Sequence, residues 1–212
     1  MEYLLSSLIG YALGSFPTAY LLIKKTTGMD ITEVGSGNVG AMNSLEISKS
    51  KVIGLVVLLI DALKGLLSVY LTLLILPIDF AFPALALIFA VFSHCFNPWL
   101  KFKGGRGLAT AAGGALLLFP FLLVVWIVIW VIIYLMKKDI LLANIWAILM
   151  SLILIFVSYR VAYKYSFPKA ESISSLMFFS AGLLLIIFIK HIDPLKEIIS
   201  NKKLLVKGLK NE

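Results

Sequence analysis

The chain has a single cysteine, Cys95, so no internal disulfide can form. It has only two histidines, His94 and His191, and no Cys/His cluster with the spacing of a zinc site. No metal and no cofactor is expected. The P-loop pattern G-x-x-x-x-G-K-[ST] is missing, which removes that route to nucleotide binding. Charge is scarce too: Asp, Glu, Lys and Arg make up 14% of the 212 residues, while 61% are hydrophobic. That balance excludes an ordinary soluble domain, which could not hide so much apolar surface from water. Acidic residues are the scarcer sign, 11 against 19 basic, for a net charge of +8. The cations sit in short loops beside apolar runs, so the positive-inside rule accounts for them and nucleic acid is not an expected partner.

What remains is oil in long runs, the pattern of an all-α, polytopic integral membrane protein. Candidate spans fall at 3–23, 52–76, 80–99, 108–119, 120–136, 140–159 and 173–190, about seven segments in a single domain, 1–212. The N-terminal run carries only Glu2 ahead of it and lacks a basic leader, so it reads as a retained helix. Residues 108–136 would measure roughly 43 Å as one helix, long for a single crossing. Pro120 offers a break there, and a bend instead of a break leaves five spans as the fallback. With the N-terminus outside, fifteen of the nineteen basic residues face the cytoplasm, as does the C-terminus. No internal repeat is visible, and an inverted repeat would have favoured a transporter.

Two loops stand out. The first is "GSGNVGAMN", residues 35–43. Gly35, Gly37 and Gly40 permit positive φ and close backbone approach, and Ser36, Asn38 and Asn43 add short polar groups. Successive amide N–H groups in such a turn form an anion-binding concavity. Taken alone, a flexible linker is the plainer reading, and no strand precedes the loop as a dinucleotide fingerprint requires. The second is "SHCFNPWLKFKGGRGLAT", residues 93–110. His94 ends an apolar run, Lys101, Lys103 and Arg106 supply charge, and Gly104, Gly105 and Gly107 remove side chains where a phosphate would approach. The next helix begins near Leu108, so its free N–H groups, with Thr110 in the first turn, suit an anion. Both loops fall on the same membrane face, which favours a shared phosphate site over two linkers.

Asp61 and Lys64 lie three residues apart inside the second span and are expected to pair. Ser15 and Pro17 suggest a kink in the first span. His191, at the end of the last apolar run, is by itself read as a hydrated interfacial side chain.

These motifs make the chain similar to the acyl-phosphate:glycerol-3-phosphate acyltransferases, the PlsY family. "GSGNVGAMN" resembles GSGNxGATN, "SHCFNPWLKFKGGRG" resembles GHxFPxFxxFKGGKG, and "LLIDALKG" and "GSFPTAYLL" fall at the expected places. The resemblance covers nearly the whole chain. It implies a cell-membrane enzyme with a cytoplasm-facing site. That enzyme moves an acyl group from acyl phosphate to the sn-1 hydroxyl of glycerol 3-phosphate, forming lysophosphatidic acid for phospholipid synthesis. Implied partners are these two substrates and membrane lipid, and the expected state is a monomer. His94 and Lys103 would be catalytic. Ser36, Gly37, Asn38, Gly40, Asn43, Lys101, Gly104, Gly105, Arg106, Gly107, Thr110 and His191 would bind substrate. The departures are specific. Met42 replaces a threonine, Arg106 a lysine, Glu46 an arginine and Leu141 a serine. In "KHIDPLKEIISNKK", Pro194 takes an asparagine's place and Lys203 a glutamate's. Lys51, Lys196 and Lys203 are candidates to replace the lost arginine.

Acyl phosphate is a mixed anhydride with a good leaving group, so no covalent enzyme intermediate is needed, in keeping with a chain that shows no Ser-His-Asp set. Cradling two anions and aligning hydroxyl with carbonyl is the task. His94 and a substrate phosphate oxygen both qualify as the base. Competing readings are a relative with another polyol-phosphate acceptor, a transporter, and a lipid-binding protein without activity.

Overall fold

The computed structural model describes residues 1–208, without the side chains of residues 198–199 and 201–208. The Lys203 side chain lies outside the described residues. Every regular element described is helical: α1 (Glu2–Gly14), α2 (Thr18–Thr27), α3 (Ala41–Ser48), α4 (Lys51–Ile75), α5 (Ala81–Cys95), α6 (Leu108–Leu118), α7 (Pro120–Lys137), α8 (Ile140–Val157), α9 (Tyr159–Lys164) and α10 (Ile173–Gly208). This is what a bilayer demands, since a helix satisfies its backbone internally. Among the described residues six segments are long and apolar enough to cross a membrane, one fewer than the seven expected, because Leu108–Leu118 is a shorter apolar helix.

The doubtful middle run is two helices. Phe119 (φ −131°, ψ 53°) interrupts it and Pro120 opens α7, where its missing N–H does no harm. At about 1.5 Å per residue, α6 reaches only about halfway across a hydrocarbon core roughly 30 Å thick. The first span breaks at Ser15–Pro17, where the kink was expected. Sequence reasoning missed α3, inside the first glycine loop, and placed the end of the last helix 18 residues short of Gly208. Pro194 lies inside α10 without ending it.

Small residues set the packing. A Cβ on Gly10 or Gly14 of α1 would overlap the backbone of Ala86 or Ala90 on α5. A Cβ on Gly65 of α4 would overlap the Thr110 carbonyl of α6, and one on Gly113 the Ala62 carbonyl. Backbones this close gain dispersion contacts that lipid cannot supply. The Ser6 hydroxyl also bonds the Phe82 carbonyl.

The turns before α5 and α10 meet at the end of the bundle away from the glycine loops. Asp79 Oδ1 accepts from the Ala81 N–H at 2.7 Å, at the first residue of α5. A hydrogen bond with Asp79, and then the Asp79 charge, raise the Glu171 carboxyl above its ordinary 4.5. The native state therefore holds a proton there that the unfolded chain releases. The stabilisation is complete below about pH 4.5 and is lost as pH rises through the raised Glu171 value. Asp79→Asn keeps an acceptor oxygen for the Ala81 N–H and removes the like charge. Melting curves from pH 4 to 8 are expected to show this variant losing less stability with rising pH than the parent.

Candidate active site

At the opposite end the two glycine loops join. The Val39 N–H donates to the Gly104 carbonyl (3.3 Å), and the Gly105 N–H donates to the His94 carbonyl (3.1 Å). The first loop turns through Gly35 (φ +61°) and Gly37 (φ +66°), as expected of glycine there. Gly40 does not: it is extended (φ −159°) and caps α3. Asn43 closes the loop. Its Nδ2 faces the carbonyls of Ile31 (3.3 Å), Val34 (3.2 Å) and Asn38 (3.0 Å), and its Oδ1 accepts from the Ser36 N–H (3.1 Å). With both ends hydrogen-bonded and the side chain buried, Asn43 shapes the loop. Ser36 and Asn38 keep exposed and half-exposed side chains.

The missing side chains at Gly104 and Gly105 make room for neighbouring protein atoms. A Cβ on Gly104 would overlap the His94 and Cys95 carbonyls, and a Cβ on Gly105 would overlap His94 Nε2 and crowd the Val39 carbonyl. Gly107 (φ +81°) packs on Cys95 and Val91 and caps α6. Lys101 (φ +53°) and Phe102 (φ +62°) are left-handed, an unusual conformation for such residues, held by the Phe102 N–H on the Asn97 carbonyl (2.8 Å). Lys101 and Lys103 are exposed and line a polar pocket with Tyr20, Asp30 and Thr32.

Behind His94 lies a buried ion pair that the spacing anticipated. Lys64 Nζ is 2.6 Å from Asp61 Oδ1 and also 2.6 Å from the Phe16 carbonyl, freed where α1 gives way to α2. The same Asp61 oxygen stands 3.8 Å from His94 Nδ1, with both side chains buried. Asn97 Nδ2 donates to the Ser15 carbonyl at 2.7 Å, and Trp99 Nε1 to the Ser15 hydroxyl at 3.3 Å. The break in the first span is thus stitched to the second loop. Spacing could suggest Asp61–Lys64 but not its link to residues 16 and 94, because those contacts join distant parts of the chain.

The last helix supplies His191, which is fully buried and not hydrated as expected from its position in the sequence. Its Nδ1 lies 2.8 Å from the Ile187 carbonyl, and its Nε2 has no partner among the described residues. Thr110 is likewise buried, its hydroxyl without a partner among them. Burial lowers the Arg106 guanidinium from its ordinary value, and the charges of Glu46 and Glu197 pull it back up. Glu46 is therefore near enough to act on the cation of the second loop, with no ion pair to it among the described residues. Lys190 reaches the same region, its ammonium 4.9 Å from the Phe96 ring.

Apolar spans joined to a loop junction that carries Lys101, Lys103 and Arg106 define a polytopic helical membrane protein. Residues 4–201 match the family described as glycerol-3-phosphate acyltransferase, and the chain belongs to that family. A Helicobacter pylori (strain ATCC 700392 / 26695) glycerol-3-phosphate acyltransferase is 38% identical over 120 residues, 54% of this chain and 54% of its own length. The chain thus spans about half the length of this and similar curated Helicobacter relatives. The Bartonella henselae enzyme of that name is 37% identical over 74% of this chain and 75% of its own. The crystal structure of PlsY (YgiH), an integral membrane glycerol 3-phosphate acyltransferase in its glycerol 3-phosphate form, superposes with TM-score 0.78 at 25% identity, covering 95% of this chain and 94% of that one. Its lysophosphatidic acid form gives 0.76 at 24% identity.

Proposed function

We propose that the protein transfers the acyl group of acyl phosphate to the sn-1 hydroxyl of glycerol 3-phosphate, forming lysophosphatidic acid and releasing inorganic phosphate. The observation that supports this reading is the Val39–Gly104 bond, which ties the first glycine loop to the second, while the Gly105 N–H ties the second to His94. In the reaction the acceptor oxygen bonds to the acyl carbon, the carbon–oxygen bond to phosphate breaks, and the hydroxyl proton leaves. Lys101, Lys103 and Arg106 offset the repulsion between two anionic substrates. The loop amides orient them as a near-attack pair. His94, held against Gly105 with Asp61 behind it, is suited to accept the proton at Nε2, and a phosphate oxygen of the substrate is its rival. The enzyme works as a monomer in the cell membrane, with the N-terminus outside and the glycine loops and C-terminus in the cytoplasm. The concentration of basic residues in the loops at this end supports that orientation.

Lys103→Ala is expected to lower turnover by about a hundredfold or more, with the melting temperature of an exposed-residue change. Wild-type turnover in that variant would remove the cation from the mechanism. One feature favours a different acceptor: Glu46, whose charge acts on Arg106, stands where the family pattern that the chain resembles has an arginine. Turnover measured with glycerol 3-phosphate against other polyol phosphates tests this, and glycerol 3-phosphate is expected to lead.

A further inference from the structure

We infer that the segment from Tyr159 to Lys169, at the end of the bundle away from the glycine loops, binds the headgroup of an anionic phospholipid through Arg160, Lys164 and Lys169. The site is separate from the glycine loops and takes no part in acyl transfer.

Charge points there first. Four of the nineteen basic residues lie outside the loops and tail at the glycine-loop end. Lys64 is occupied by its buried ion pair. The other three, Arg160, Lys164 and Lys169, fall within ten residues of one another, at the end where the positive-inside bias leaves the fewest cations. All three are exposed, and none forms an ion pair among the described residues. The acidic groups of this end have other partners. Asp79 and Glu171 hydrogen-bond to each other, and Glu2 pairs with the amino terminus at 3.2 Å.

The segment holds its cations in place. Arg160 lies over the Tyr159 ring (5.8 Å), Lys164 over Tyr165 (5.5 Å) and Lys169 over Tyr163 (5.1 Å). Arg160 gives only its Nε–H within the chain, to the Tyr159 hydroxyl at 3.3 Å, so most of its donors stay available. On the inner side Ala162, Ser166 and Ala170 are buried at four-residue steps. The Ser166 hydroxyl donates to the Tyr163 carbonyl (3.1 Å) and accepts from the Ala170 N–H (3.2 Å). The Phe167 N–H donates to the Leu118 carbonyl at the end of α6 (3.3 Å). A basic face on a fastened backing is organised before its ligand arrives, which lowers the ordering cost of binding.

The surroundings select a lipid as the occupant. Val157, Val161, Tyr165 and Phe167 are exposed beside the cations. Apolar side chains, tyrosines and long cations together suit the boundary between headgroups and hydrocarbon. An anionic phospholipid meets both parts. Its phosphate accepts from the guanidinium and the ammonium groups, and its tails lie against Val157, Phe156 and Ile153 on the exposed side of α8. A free phosphate ion would leave the apolar part unmatched, and a zwitterionic headgroup brings its own cation to a basic face.

The test is native mass spectrometry of the purified protein in a neutral detergent, with phosphatidylglycerol or phosphatidylcholine of equal chain length. The parent is expected to retain phosphatidylglycerol about tenfold better than phosphatidylcholine. Arg160→Gln/Lys164→Gln/Lys169→Gln is expected to lose most of that preference. Lys24→Gln/Lys25→Gln/Lys137→Gln removes three exposed charges at the opposite end and is expected to keep most of it. Arg160→Lys/Lys164→Arg/Lys169→Arg keeps the charge and is expected to behave as the parent. Lys164→Gln alone, at an exposed position, reads the same loss at about threefold should the triple glutamine variant fail to fold. A parent preference in the glutamine variants, an equal loss in the opposite-end variant, or a parent without preference overturns the site. Displacement of the lipid by millimolar inorganic phosphate would assign the cations to a free anion and overturn the lipid as occupant.

Discussion

Gly105→Ala will nearly silence acyl transfer, by about a hundredfold in turnover, while the helices remain assembled. The added methyl would overlap His94 Nε2 and crowd the Val39 carbonyl. Neither can yield freely. The His94 ring is buried beside Asp61, and Val39 is tied to Gly104 by the bond that joins the loops. Either the ring turns away from Asp61 or the loops part, and both outcomes move the base or the amides from their stations. Overpacking of this kind costs about 1–3 kcal/mol in stability, which a membrane bundle tolerates. Gly28→Ala is the control. It sits at φ +75° with nothing near its Cβ direction, so it carries backbone strain without touching the junction. Its turnover is expected to match the parent. Equal turnover in both variants would show that the His94–Gly105 contact is irrelevant to the reaction.

Lys64→Met will be the most destabilising change at a single side chain. It leaves the Asp61 carboxylate buried and unpaired, which typically costs about 3–5 kcal/mol. It also removes the donor to the Phe16 carbonyl, for roughly a further 1–3 kcal/mol. The double variant Asp61→Asn/Lys64→Met removes the stranded charge and is expected to recover much of the first loss but not the second. Thermal unfolding in detergent, read for both variants, separates the two contributions. A double variant no more stable than Lys64→Met would mean that charge burial is not what the pair manages.

Hydropathy located the spans because period and length are local properties. The break at Ser15–Pro17 and the separation of α6 from α7 at Phe119–Pro120 were legible for the same reason, since proline acts on its own neighbourhood. The far end of α10 was not. Beyond Ile189 the lysines end the apolar run, and the helix continues on polar residues that hydropathy ignores. The glycines were read half correctly. Gly35 and Gly37 take positive φ, but the close contacts of Gly104 and Gly105 are with His94, Cys95 and Val39, partners that only the folded chain brings near. Asn43 was assigned to substrate because a short amide in a glycine loop has two possible uses. The carbonyls of Ile31, Val34 and Asn38 show the loop-closing use. His191 was read as hydrated for a related reason: its burial in the folded bundle cannot be seen in the run that carries it.

The central claim is that the joined loops hold a phosphate. Calorimetric titration of glycerol 3-phosphate into the purified protein tests it most directly, with Lys103→Ala run in parallel. Saturable binding to the parent, weakened about tenfold or more in the variant, and suppressed in both by inorganic phosphate, is the expected result. Equal affinity in the two proteins, or no binding to the parent, would contradict it.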